Sequence, residues 1–152
     1  MLDVAMLDYL VSKFGAPSSL SLEIFMLISG YVLAGLLSLG IAVVGVRFLL
    51  APEAAAAGYG VALRPEARTR PDLPAFLQIK GVRDIVSGLF IPVLIGFGQP
   101  HALAVIMLTT TITPLADAAI VLRHGGSRAT AFGIHVATAG VMILDAALLL
   151  LA

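Results

Sequence analysis

Apolar runs long enough to span a membrane alternate with short polar breaks along most of this chain. Ile24 to Val46 carries no charge and can hold the roughly 20 apolar residues a bilayer core requires. Three further segments repeat the pattern, so the predicted spans are 22–50, 75–97, 102–122 and 129–151. Pro52 stops the first. Gly98-Gln99-Pro100-His101 divides the second from the third, and Arg123-His124-Gly125-Gly126-Ser127-Arg128 divides the third from the fourth. Between Pro52 and Pro74, Arg64, Arg68 and Arg70 with Pro65 and Pro71 make the most polar stretch, expected as a solvated connection. Pro92 and Pro114 predict kinks inside spans, with threonines from Thr109 onward placed to satisfy freed carbonyls.

Ahead of the first span, Leu2, Met6, Leu10 and Phe14 recur at near-helical spacing with Asp3, Asp8, Ser12 and Lys13 between them. That pattern predicts an amphipathic helix lying in the membrane interface, not a signal peptide, because no basic region precedes its apolar residues. Gly15-Ala16-Pro17 breaks it, and Ser21 with Glu23 predicts the cap of the first span. The expected organisation is an amphipathic segment, 1–19, followed by a transmembrane domain, 20–152. The fold class is all-α: a transmembrane four-helix bundle with an N-terminal amphipathic interfacial helix.

Composition strengthens the membrane reading. Of 152 residues, 60% are hydrophobic and 12% charged, with a mean hydropathy of +1.07. Soluble domains carry about 25% charged residues. A net charge of zero implies no nucleic-acid partner, so the expected partners are the bilayer and a small lipophilic molecule, with homo-oligomerisation left open. Without cysteine there is no disulfide or thiolate chemistry. Arg47, Arg64, Arg68, Arg70, Lys80 and Arg83 flank the first connection and Arg123 and Arg128 the third, against Lys13 alone on the other side. Positive charge stays cytoplasmic, which predicts a plasma-membrane protein with both basic loops inside and both termini outside.

That topology gives each polar residue a depth. Lys80, Arg83 and Asp84 stand at the mouth of the uncharged run Ile85–Phe97, and Arg47 lies near the inner end of the first span. Asp117 precedes Arg123 by six residues and His135 follows Arg128 by seven, placing both about 9 Å from the inner end. Ionisable residues at membrane depth usually face the bundle interior and pair. The pairs expected are Arg83 with Asp117 and Asp84 with Arg47 or His135, while Lys80 and Asp84 share one helix face. Asp84, Asp117 and His135 are the candidate catalytic residues, and Arg47, Lys80 and Arg83 the candidate substrate-binding residues. No metal or cofactor is expected, because HExxH, GxSxG and phosphate-cradling glycine loops are absent. Asp145 sits apart in the outer half, expected neutral and hydrogen-bonded to Ser29 or Tyr31. Gly30, Gly35, Gly40 and Gly45 recur every five residues, too widely for one GxxxG face, and predict local close packing.

The run Gly81-Val82-Arg83-Asp84, then Gly88-Leu89, resembles the signature of a family of small four-helix membrane proteins of unknown function, the DUF4267 type, related to the DoxX-like group. The resemblance extends over about Gly30 to Leu150. It takes in Arg47 and Pro52 near the end of the first helix, Gly58 or Gly60, Asp117, the turn Gly125-Gly126 and His135; Ala118 stands where many relatives have glycine. It implies a four-helix bundle and no assigned activity. Fungal relatives in small-molecule biosynthetic settings imply lipophilic substrates.

Three functions stay open on this sequence. In the first, an inner-half cavity binds a lipophilic molecule, with acid–base isomerisation or cyclisation as the chemistry if the protein is an enzyme. In the second, the charged cluster only locks the bundle of an accessory subunit. The third is a small dimeric transporter, which the strong charge bias disfavours.

Overall fold

The computed structural model describes residues 9, 13, 18–61, 63, 65–68 and 70–152. The predicted interfacial helix therefore lies outside the described residues, apart from Tyr9, Lys13, Ser18 and Ser19. The described residues contain helices and no strands. In order these are α1 (Ser18–Leu50), α2 (Pro52–Gly58), α3 (Pro65–Arg68), α4 (Leu73–Gly96), α5 (Pro100–Thr110), α6 (Ile112–Arg123), α7 (Arg128–Thr130), a π-helical turn (Ala131–Val136) and α8 (Ala137–Leu151). Prolines open α2, α3 and α5, where the missing N–H would have no intrahelical partner anyway. Because α1 already begins at Ser18, Ser21 and Glu23 lie inside the helix and do not cap it.

Among the described residues three helical stretches, Leu20–Leu50, Pro100–Arg123 and Arg128–Leu151, are long and apolar enough to cross a membrane. α4 has the length, at 24 residues, but every stretch of 18 within it takes in Lys80, Arg83 and Asp84. The outward sides are apolar: Phe25, Val32, Leu36 and Leu39 of α1 are each more than half exposed. Continuous apolar surface of this kind is a liability in water and costs nothing against lipid tails.

α1 and α4 form the closest seam, antiparallel. A Cβ on Gly45 would fall 2.6 Å from the Gly81 carbonyl oxygen, and one on Gly88 would fall 2.9 Å from that of Ser38. Only glycine lets the two backbones approach so closely. Gly30 likewise packs against Leu149, whereas Gly35 and Gly40 face open space. Local close packing thus accounts for Gly30 and Gly45 alone. Pro92 cannot donate to the Gly88 carbonyl four residues back. The Ser38 hydroxyl of α1 donates there instead, at 2.8 Å, and α4 continues through the proline to Gly96.

The Pro100–Arg123 stretch breaks at Thr111, between α5 and α6. Thr109, Thr110 and Thr111 donate to the carbonyls of Val105, Ile106 and Met107, four residues back in each case. The carbonyl that Pro114 leaves without its usual donor is that of Thr110, so these hydroxyls do not perform the repair expected of them. The main core lies between α1, α4, α5 and α8 around Ala34, Ile91, Leu103, Met107, Ala146 and Leu149.

The connection after α1 departs from the solvated loop expected. Ala55 and Ala56 of α2 are buried against Phe48, with Tyr59 and Leu77 packed alongside. Four alanines, Ala54 to Ala57, give α2 a surface flat enough to lie against that ring. Gly60 then turns the chain at φ +100°, a region open to glycine, and carries Val61 onto the cluster of Ala118, Val121 and Ala131. The fold thereby seats Tyr59 among α1, α4, α6 and the π-helical turn.

Candidate functional site

Tyr59 is the centre of the polar cluster. Its hydroxyl donates to Asp117 Oδ2 on α6. Burial, then the adjoining Asp117 carboxylate, pushes the phenol well above its ordinary pKa of 10.0, so Tyr59 stays protonated at physiological pH. Its ring meets His135 edge-on with centroids 4.6 Å apart, and Phe48 edge-on at 5.7 Å. His135 is 3% exposed, and its Nε2 lies 3.0 Å from the Tyr59 carbonyl oxygen, to which it donates. A single π-helical turn carries that histidine, a local irregularity frequent at functional positions.

Lys80 closes the cluster from α4. Its Nζ is 2.5 Å from Asp84 Oδ2, and it lies 4.3 Å from the Tyr59 ring centroid and 4.5 Å from that of Phe48. An ammonium held between two aromatic faces and a carboxylate is well stabilised in a half-buried position. α4 and α6 do not pack closely here. They border a cleft of about 560 Å³, lined by Phe76, Ile79, Arg83 and Asp84 of α4 and by Thr113 and Asp117 of α6.

Among the six residues singled out from the sequence, Lys80, Arg83, Asp84 and Asp117 all line this cleft. Their pairing differs from expectation. Among the described residues Asp84 pairs with Lys80 and with neither Arg47 nor His135, and Asp117 accepts from Tyr59 and makes no ion pair with Arg83. Arg47 is exposed and does not line the cleft, because the Gly45–Gly81 contact sets the rotation of α1 and turns Arg47 away. His135 stands against Tyr59, donates to its backbone carbonyl and does not line the cleft. Tyr59 was missed in the sequence because it falls in a polar connection. The one available signal was Pro52-Glu53-Ala54-Ala55-Ala56-Ala57, a helix-forming run inside that connection.

Asp145 also departs from expectation. It is fully buried, and neither carboxyl oxygen has a hydrogen-bond partner among the described residues, so neither Ser29 nor Tyr31 reaches it. No group of three or more His, Cys, Asp or Glu side chains able to hold a metal occurs among the described residues.

Helices with apolar exteriors, three of those described long and apolar enough to span a bilayer, define an integral membrane protein of the all-helical class. Residues 38–150, about three-quarters of the chain, match the family described as a domain of unknown function (DUF4267), and the protein belongs to that family. The matched region begins at Ser38, the donor to Gly88, and includes every residue of the cluster around Tyr59. Comparison with curated proteins and with solved structures finds no match.

Proposed function

We propose that this protein is a four-span membrane bundle whose cleft between α4 and α6 binds a small lipophilic molecule and acts on it by acid–base chemistry. α4 is the fourth span, its charged residues turned toward the cleft and away from lipid. The 1–2 and 3–4 connections face the cytoplasm and both ends of the chain face outward, in the plasma membrane. The observation that carries the reading is the convergence of Phe48, Tyr59, Lys80, Asp84, Asp117 and His135, from five separate elements, beside a cleft with an apolar lip. Phe76 and Ile79 on that lip are 66% and 49% exposed, which suits lateral entry from the bilayer.

In this reading Asp117 is the base or acid that meets the substrate. The Tyr59 hydroxyl positions it by donating a hydrogen bond to Oδ2, which leaves the other carboxyl oxygen to face the cleft. Lys80 and Asp84 form a neutral pair that holds the cleft wall and supplies a second proton-exchanging carboxylate. His135 is a positioning residue for Tyr59. Isomerisation or cyclisation fits, since either moves protons between sites on one molecule and needs no second substrate.

The competing function is a bundle lock, which the internal pairing of Lys80 with Asp84 also supports. Extraction into native-lipid nanodiscs followed by native mass spectrometry separates the two. A small molecule that co-purifies with wild type and is lost in Asp117→Asn, with helical content unchanged, supports the binding cleft. An empty wild-type protein overturns it in favour of the lock, and a mass retained in Asp117→Asn removes Asp117 from the site.

A further inference from the structure

Four ionisable side chains line the cleft, and three of them are engaged within the protein. Lys80 and Asp84 neutralise each other at 2.5 Å. One oxygen of Asp117 is held by the Tyr59 hydroxyl. Arg83 has no ion pair and no side-chain hydrogen bond among the described residues, although it borders the same cleft as Asp117. A guanidinium has five donors in a planar fork that matches two oxygens of one anion. At membrane depth such a group is costly unless an anion or water meets it. Ser87, one turn on, donates its hydroxyl to the Arg83 carbonyl at 2.9 Å and so does not occupy the fork.

We infer that the ligand is an anionic amphiphile: a carboxylate or phosphate bound by Arg83, a hydrogen-bond donor directed at the remaining oxygen of Asp117, and a hydrocarbon body leaving past Phe76 and Ile79. The inference rests on the cleft being a binding site, and it adds the ligand's charge and orientation. A cationic ligand would have to displace the Tyr59 contact to reach Asp117 fully, and would leave Arg83 facing its own charge. The anion has two sources that Arg83 cannot tell apart: a free lipophilic acid, or the headgroup of an acidic phospholipid.

The test uses the full chain in phosphatidylcholine nanodiscs, titrated calorimetrically with dodecanoate, dodecanol and dodecylammonium, empty discs serving as blanks. Dodecanoate should bind one per chain and at least about tenfold more tightly than the other two, as expected for a charge-assisted contact. Arg83→Gln should remove that preference. Arg83→Lys should recover only part of it, because an ammonium cannot engage both oxygens. Arg83 is exposed, so both variants should keep the wild-type circular dichroism. Discs containing phosphatidylglycerol assign the source: competition with dodecanoate makes it a lipid headgroup, and undiminished binding makes it a free acid; both outcomes support anion recognition. Dodecanol or dodecylammonium binding as tightly as dodecanoate, or an unchanged preference in Arg83→Gln, overturns the inference while leaving a binding cleft. Failure of all three probes to saturate wild type overturns the cleft itself.

Discussion

The seam between α1 and α4 can be tested by adding one methyl group. In Gly45→Ala the new carbon would lie 2.6 Å from the Gly81 oxygen, 2.7 Å from Ile85 Cγ1 and 2.9 Å from the Ile85 nitrogen. Carbon and carbonyl oxygen settle at about 3.3–3.6 Å, so the helices must part locally by most of an ångström. Two of the three obstructing atoms are backbone and cannot swing aside. Overpacking of this kind costs about 1–3 kcal/mol. Alanine also favours the helix over glycine by about 1 kcal/mol, which would hide part of that cost. Gly35→Ala supplies the correction, because a methyl at Gly35 meets nothing within 4 Å and gains the propensity alone. Thermal unfolding in mild detergent, followed by circular dichroism, should place Gly45→Ala about 1–3 kcal/mol below Gly35→Ala. Gly81→Ala should behave like Gly45→Ala, its methyl meeting the Gly45 oxygen at 2.6 Å. The double variant should cost less than the two singles added, because helices already parted accommodate the second methyl. A Gly45→Ala protein as stable as Gly35→Ala would refute the close seam, and with it the placement of Lys80 over Tyr59.

Further expectations follow from other residues. Tyr59, read as the ultraviolet titration lost in Tyr59→Phe, should resist ionisation past the ordinary phenol pKa of 10.0, and Asp117→Asn should lower its midpoint; a Tyr59 signal titrating at the ordinary value would contradict its burial. Because the folded-state pKa is raised, the contribution of Tyr59 to stability is complete below pH 10 and declines above it, where the unfolded phenol ionises first. The chain has no cysteine, so single replacements report topology cleanly: in intact cells an impermeant maleimide should label Gln99→Cys and leave Ser127→Cys unmodified, and the reverse pattern would invert the proposed orientation. Asp145→Val should raise stability by about 1–3 kcal/mol, the cost of an unpartnered buried polar group. A loss of stability would show that the carboxyl has a partner.

The sequence carried the helices because their signals are local: apolar runs, prolines at N-termini and Gly-rich turns. It also carried which charged residues share a level along the helices, because level follows from counting along a helix, and four of them border one cleft. Partner choice was not legible, since it depends on how each helix is rotated about its axis. Arg83 and Asp117 share a depth and a cleft, yet Tyr59 takes Asp117 because Gly60 turns the chain back beneath it. Arg47 shares that depth too, and the rotation of α1 at the Gly45 contact leaves it exposed. Only the Lys80–Asp84 pair could be foreseen, as both residues lie on one helix and four apart.

Rotation also explains why glycines and charges stand together in Gly81-Val82-Arg83-Asp84 and Gly88. At about 100° per residue, Gly81 and Gly88 fall within about 20° of each other and define the face of α4 that meets α1. Phe76, Lys80, Arg83 and Asp84 all lie to one side of that face, centred about a third of a turn away, with Ile79 opposite it. Pressing the glycines against α1 therefore turns the charged residues toward the cleft with α6. The same contact brings Ser38 to the carbonyl that Pro92 leaves without a donor, so α4 passes its proline intact and keeps one rotation along its length. The glycines and the charges are thus parts of one device. A methyl at the seam should reach the cleft as a displaced Lys80, and loosened ligand binding in Gly81→Ala, at temperatures where the variant stays folded, is the result that would show it.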